Sequence, residues 1–234
     1  DRTSSQLAVI KQFLHDYRSV FDSTEKIFVD IRPQTEAIKA AMQLVNYYFP
    51  EYKLPDQWIT YIGPFDAIFQ ASLGSYSDVL MTAGMASGLQ LHLGASSPIY
   101  QDPVILSLYP AYLSRKFTPA TIAVNTIKNL IDDLYPEKIQ DRPLLEQMVE
   151  KGKRLYLLDQ FMPDVADTLK IGYTAEQLEG CSRQEGRIWN FFMSNNLLYN
   201  AEPGLIKNYI NEGPQTPELG QGSPGYIGLF VGLP

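Results

Sequence analysis

Apolar residues near the start of the chain recur at steps of three and four. Leu7, Ile10, Phe13, Leu14, Tyr17, Val20 and Phe21 form one stripe, which predicts an amphipathic helix over 5–22 with that stripe buried. Asp22-Ser23-Thr24 is a cluster of capping residues, expected to end this helix and start another. Pro33 is expected to break or kink the next segment. A further helix is predicted over 35–48, with Ile38, Met42 and Val45 inward and Phe49-Pro50 as its stop. Residues 57–63 are rich in β-branched and aromatic side chains and predict a strand, and 67–73 a second. A polar turn at 74–78 leads into 79–93. That segment is ambiguous, because Val79 to Thr82 favour a strand, Met85 to Leu93 allow a helix, and Gly84 and Gly88 weaken both.

The second half reads as helices. Thr118-Pro119 is expected to start one whose buried stripe is Ile122, Ile127, Leu130, Ile131 and Leu134, closed by Pro136. Pro143 opens another that runs to Phe161. Thr174-Ala-Glu-Gln177 is a capping box, opening a helix expected to run to Asn195-Asn196, and a short helix is expected at 203–211. The stretch 213–225 is rich in Gly and Pro and predicts a loop. The fold class is therefore α+β, predominantly helical with a small central sheet. No linker divides the chain, so residues 1–234 are expected to form one domain.

Composition narrows the function. Net charge is −7 and the densest basic cluster, Lys151, Lys153 and Arg154, sits beside Glu146 and Glu150, so no nucleic-acid surface is expected. The pair Glu146/Glu150 and the pair Asp132-Asp133 look like exposed helix faces. Cys181 is the only cysteine, which excludes an internal disulfide and multi-cysteine zinc sites, and a small buried thiol is expected there. No stretch is long and apolar enough to span a membrane. The two histidines, His15 and His92, do not form His-Glu-x-x-His, and neither Ser87 nor Ser223 has the spacing of a nucleophile elbow. A phosphate loop is also missing. No catalytic residue, metal ligand or cofactor is accordingly expected. Candidate binding residues are Gln90, His92, Tyr109, Tyr112, Arg115, Glu185 and Arg187. Two tyrosines and an Arg in Tyr109-Pro-Ala-Tyr112-Leu-Ser-Arg115 could face one pocket, and Glu185 and Arg187 lie in a polar-aromatic helix with Trp189.

Four ordered stretches carry a resemblance. They are Tyr47-Tyr48-Phe49-Pro50-Glu51 followed by Tyr61-Ile62-Gly63; Leu91-His92-Leu93-Gly94 through Tyr100; Tyr109-Pro110-Ala111-Tyr112-Leu113; and Gly222-Ser223-Pro224-Gly225 through Gly232. Together, over about residues 10–234, they resemble the GldB-like gliding-motility lipoproteins of Bacteroidetes. The resemblance implies a cell-envelope protein on the periplasmic side, at the outer membrane, held by a lipidated N-terminal Cys ahead of Asp1 and continued by a helix after Pro234. Cys181, mid-chain, is not that anchor. It also implies a distant similarity to zincin-like peptidases, whose His-Glu-x-x-His helix has no counterpart at 79–94 here. Where the family carries an Asp shortly before Leu-Gly, this chain has Gln90. The expectation is a non-catalytic domain that binds an envelope protein or another envelope component. Two alternatives stand beside it: a zincin-like hydrolase with a degenerate site near 85–115 and Glu185, and a small-ligand or glycan binder using the tyrosine-rich surface.

Overall fold

The computed structural model describes residues 2–65, 78–81, 84–138 and 141–233, with side chains from residue 6. The expected strand at 67–73 and most of the turn at 74–78 lie outside the described residues. The structure is α+β, as the hydrophobic pattern predicts, with many helices and a three-stranded mixed sheet. By contact it divides into two compact units, residues 1–37 with 55–126 and residues 38–54 with 127–234.

The first unit opens with α1 (Arg2–Asp16) and α2 (Arg18–Ile27). One helix over 5–22 was expected, and the break instead falls at Tyr17. The residues Asp22, Ser23 and Thr24 do not cap anything. The Ser23 and Thr24 hydroxyls each donate to the carbonyl four residues back, and Asp22 pairs with Arg18 at 2.9 Å, so all three sit comfortably inside α2. The expected buried stripe holds only at Val20; Leu7, Ile10, Leu14 and Phe21 are exposed. α3 (Arg32–Tyr48) starts before Pro33, whose missing N–H costs nothing in a first turn, so no kink results.

β1 (Trp58–Tyr61), β2 (Asp78–Met81) and β3 (Gly84–Gly88) form the sheet in the order β1-β3-β2. β1 runs parallel to β3, with Trp58 opposite Met85, and β2 runs antiparallel to it, with Asp78 opposite Ser87. The ambiguous segment thus resolves into two strands. β3, the central one, is buried at all five positions despite its small side chains, Gly-Met-Ala-Ser-Gly. A Cβ on Gly84 would stand 2.6 Å from the Gln57 carbonyl oxygen, so the close approach there requires glycine. A 3-10 turn over Leu89–Leu91 leaves the sheet, and α4 (Pro103–Leu108) and α5 (Ala111–Ser114) follow. The core beneath them is Val20, Phe65, Leu91, Leu93, Tyr100, Tyr109 and Phe117.

α6 (Thr121–Leu134) begins two residues beyond Pro119 and carries the expected buried residues Ile122, Ile127, Leu130 and Ile131. The Thr118 hydroxyl is not a cap; among the described residues it has no hydrogen-bond partner. The second unit is built on α7 (Leu144–Phe161), opened by Pro143 as expected. α8 (Asp167–Ile171) ends at Gly172, whose φ of 77° is left-handed. α9 (Ala175–Arg183) starts with the capping box, Thr174 accepting from the Gln177 N–H and the Gln177 side chain accepting from Thr174. The single helix expected to reach Asn195 is two, because the chain breaks at Gln184 before α10 (Glu185–Ser194). α11 (Pro203–Ile210), the Gly-rich loop and α12 (Ile227–Val231) complete the unit. α12 crosses α7 at bare backbone: a Cβ on Gly152 would fall 1.9 Å from the Gly232 carbonyl oxygen. Phe192, Ile206, Tyr209, Ile227 and Leu144 belong to the core of this unit. Each large side chain buried this way contributes about 1.5–3 kcal/mol.

Candidate functional site

The polar residues of the first unit converge in its interior. β3 delivers Ser87, which is fully buried; its oxygen accepts from the Trp58 indole N–H at 3.1 Å and lies 3.2 Å from the Thr126 hydroxyl. The turn after β3 then folds Gln90 and His92 inward, both at 0% exposure. The Gln90 carboxamide oxygen accepts from the Gly63 N–H at 3.0 Å. Tyr100 clamps the turn: its hydroxyl donates to the Gln90 carbonyl and accepts from the Leu93 N–H, each at 2.9 Å. Burial pushes the Tyr100 phenol pKa well above its ordinary value, so this clamp stays protonated.

His92 holds the most demanding position. Its Nδ1 lies 3.2 Å from the Thr118 carbonyl oxygen and 3.2 Å from the Thr121 hydroxyl. A carbonyl oxygen can only accept, so Nδ1 carries a proton and Nε2 is the nitrogen turned to Asp78. Asp78 Oδ2 stands 3.6 Å from Nε2, with side-chain exposures of 1% and 0%. That separation is longer than a hydrogen bond, and it becomes a salt bridge only when the imidazole is protonated. Among the described residues, neither Asp78 oxygen, nor His92 Nε2, has a hydrogen-bond partner. The pair is sealed from solvent, so it cannot meet a substrate as it stands. Among the described residues no group of three His, Cys, Asp or Glu side chains could hold a metal ion.

The seven expected binding residues fall in different surroundings. Gln90 and His92 belong to this buried network, and Tyr109 is packed against Phe65 and Phe117 in the core. Tyr112 and Arg115 are half-buried, on α5 and just after it. Glu185 and Arg187 lie in the second unit on the exposed side of α10, where Arg187 donates to the Gln184 side chain at 2.7 Å. The polar residue that sequence reasoning missed is Asp78. Its polar neighbours suggest a surface turn, and only the antiparallel pairing of β2 with β3 brings it inside. His15, by contrast, is the expected solvated histidine, 86% exposed beside Asp16.

The second unit carries two concave surfaces. One is a groove of about 640 Å³ along α7, walled by Val149, Tyr156, Leu157, Phe49, Trp189 and Leu233. Its lining includes the backbone crossing of Gly152 and Gly232. Val149 and Tyr156 are about half exposed, so this face of α7 is apolar toward solvent. The charge at its edge is Lys153, whose amine donates to Glu150 at 2.6 Å. Glu150, expected on an exposed face, is buried, and the Lys153 ammonium holds its carboxyl below the ordinary range. The other surface is a polar cleft of about 550 Å³ between α9, α10 and the Gly-rich loop, and Arg187, Gln184, Asn190 and Gln221 line it. The loop is stapled by Ser223, which donates to the Thr216 carbonyl, and by Thr216, which donates to the Pro224 carbonyl. Cys181 sits at the base of this cleft, and burial raises its thiol to about 11, so it is the inert buried thiol expected.

Among the described residues no helix is long and apolar enough to cross a membrane. No curated protein and no solved structure matches the chain. The family model described as gliding motility protein GldB matches residues 1–234, and the chain therefore belongs to that family of gliding-motility-associated envelope lipoproteins.

Proposed function

We propose that this chain is a non-catalytic domain on the periplasmic side of the outer membrane, and that the apolar groove along α7 seats an envelope protein partner. The observation that carries this reading is the groove itself. Half-exposed Val149 and Tyr156 beside Trp189 and Phe49 form an aromatic-rich concavity, and the charged residue on its described wall, Lys153, is already paired. Such a surface suits the apolar anchors of a protein segment. The family supplies the setting, an envelope lipoprotein tied to gliding motility. On this reading the zincin-like ancestry survives as scaffold only.

A photo-crosslinking side chain placed at Tyr156 in the native bacterium tests it. The expected result is a discrete adduct that is missing from the same probe at Tyr199, an exposed position outside the groove, and that disappears when Val149→Asp is added. Identical adducts at both positions, or none, overturn the reading. A hydrolytic role would need solvent at Asp78 and His92, which are sealed. Unchanged motility and secretion in His92→Gln, with folding intact, would agree with a structural pair. One observation favours a second reading, a small-ligand or glycan site: the amide-lined cleft with Arg187. Binding of envelope glycan fragments that is lost in Arg187→Ala and retained in Val149→Asp would establish it in place of the groove.

A further inference from the structure

The groove along α7 is long and narrow. Its lining on that helix runs from Leu145 to Leu157, about 18 Å at the rise of an α-helix. A volume of about 640 Å³ spread over that length leaves a cross-section of roughly 35 Å². That admits one extended chain, whereas a helix with its side chains is about 10–12 Å across. An extended segment often binds by pairing with a strand edge, but among the described residues the second unit has no strand. Backbone groups turned into the groove must therefore find partners among its side chains. Those side chains have one polarity. The polar ones among the described residues of the lining are Tyr135, Lys153, Tyr156 and Trp189; each has a hydrogen to donate, and no carboxylate or carboxamide joins them. Lys153 is taken by Glu150, with the Tyr135 hydroxyl 3.5 Å from the same amine. The Trp189 indole N–H and the Tyr156 hydroxyl make no hydrogen bond among the described residues. An ordinary extended segment would turn N–H groups toward walls that offer donors. Proline has no N–H, and its carbonyl is an acceptor. A proline-rich segment is already extended, needs no internal hydrogen bonds, and covers 18 Å in about six residues.

We infer that the groove takes a proline-rich segment of the partner in the polyproline II conformation, with Trp189 and Tyr156 donating to its carbonyls and the aromatic walls packing its rings; this rests on the groove being the partner's seat. Fluorescein-labelled octaproline is titrated with the full 234-residue chain and followed by anisotropy. Saturable binding is expected, and at least tenfold weaker binding of a labelled octapeptide of alternating alanine and serine, which keeps every N–H. Tyr156→Phe removes only a hydroxyl and should weaken octaproline about fivefold. Trp189→Phe removes the indole N–H and part of the ring surface and should weaken it about tenfold. Tyr156 is half exposed, so thermal unfolding of Tyr156→Phe should match the parent and separates lost binding from lost folding. No octaproline binding, equal binding of the two peptides, or unchanged affinity in both variants would each overturn the proposal, as would a dimer in sedimentation that Val149→Asp breaks apart. If octaproline fails while the Tyr156 crosslink persists in the bacterium, the partner site stands and its proline-rich occupant does not; loss of the crosslink removes both.

Discussion

In the first unit the polar groups are inside: Ser87, Gln90, His92 and Asp78 are all buried around a central strand of mostly small residues. In the second unit the apolar groups reach outside: Val149 and Tyr156 stand half exposed in a groove that Gly152 and Gly232 also line. The buried polar cluster of the first unit is thus inaccessible, while the apolar groove of the second is open to solvent. Reactive residue types and working surface are separate properties, and here the burial decides which is which.

The largest effect should come from breaking the buried pair. His92→Leu removes the imidazole beside the sealed Asp78 side chain and should cost about 3–5 kcal/mol in urea unfolding, with the double change Asp78→Leu, His92→Leu recovering much of it. Equal losses in the single and the double would mean that shape, not charge, holds that interior. The matching break in the second unit is Gly152→Ala, whose methyl meets the Gly232 carbonyl and should cost about 3 kcal/mol by overpacking. Cys181 supplies a local readout. Its sealed thiol, raised to about 11, should be alkylated slowly in the parent and quickly in Gly152→Ala at neutral pH. Thr174→Ala removes the capping-box acceptor of α9 and should cost about 1 kcal/mol. Gly180→Ala in the same helix has open space around it and should stabilise by about 0.5–1 kcal/mol, a control showing that the penalty at Gly152 is steric.

The smallest effect is the dependence on acid. Glu150 has its carboxyl pKa lowered by the hydrogen bond from Lys153, so in the folded state it favours the ionised form. Its contribution is therefore present above the ordinary value of 4.5 and is lost as pH falls through the lowered one. The stability difference between the parent and Glu150→Gln should be full at neutral pH and close on acidification, measured as urea midpoints across that range.

Where local physics settles structure, the sequence was legible. The capping box at Thr174, the Pro143 start of α7 and the buried stripe of α6 depend on neighbours within one or two turns. Where a residue has two local choices, the pattern misled. Ser23 and Thr24 can cap a helix or bond back to the carbonyl four residues earlier, and only the packing of Val20 and Thr24 selects the second. β3 could not be read because Gly, Ala and Ser carry little strand preference, and its burial is imposed by strands on both sides. The same holds for the site. His92 and Gln90 were singled out by their apolar neighbours, but Asp78, fourteen positions before His92, reaches it only through strand pairing. The groove had no signature, since its walls come from α7, α10, Phe49 and the chain end, and no periodicity joins them.

The backbone crossing of Gly152 and Gly232 has a consequence for how this groove can change over time. That part of its lining offers no side chain to exchange, and any larger residue there must push a helix aside. The rim residues Val149, Tyr156 and Trp189 carry no such constraint. Substitution can therefore reshape the groove at Val149, Tyr156 and Trp189 more readily than at the crossing.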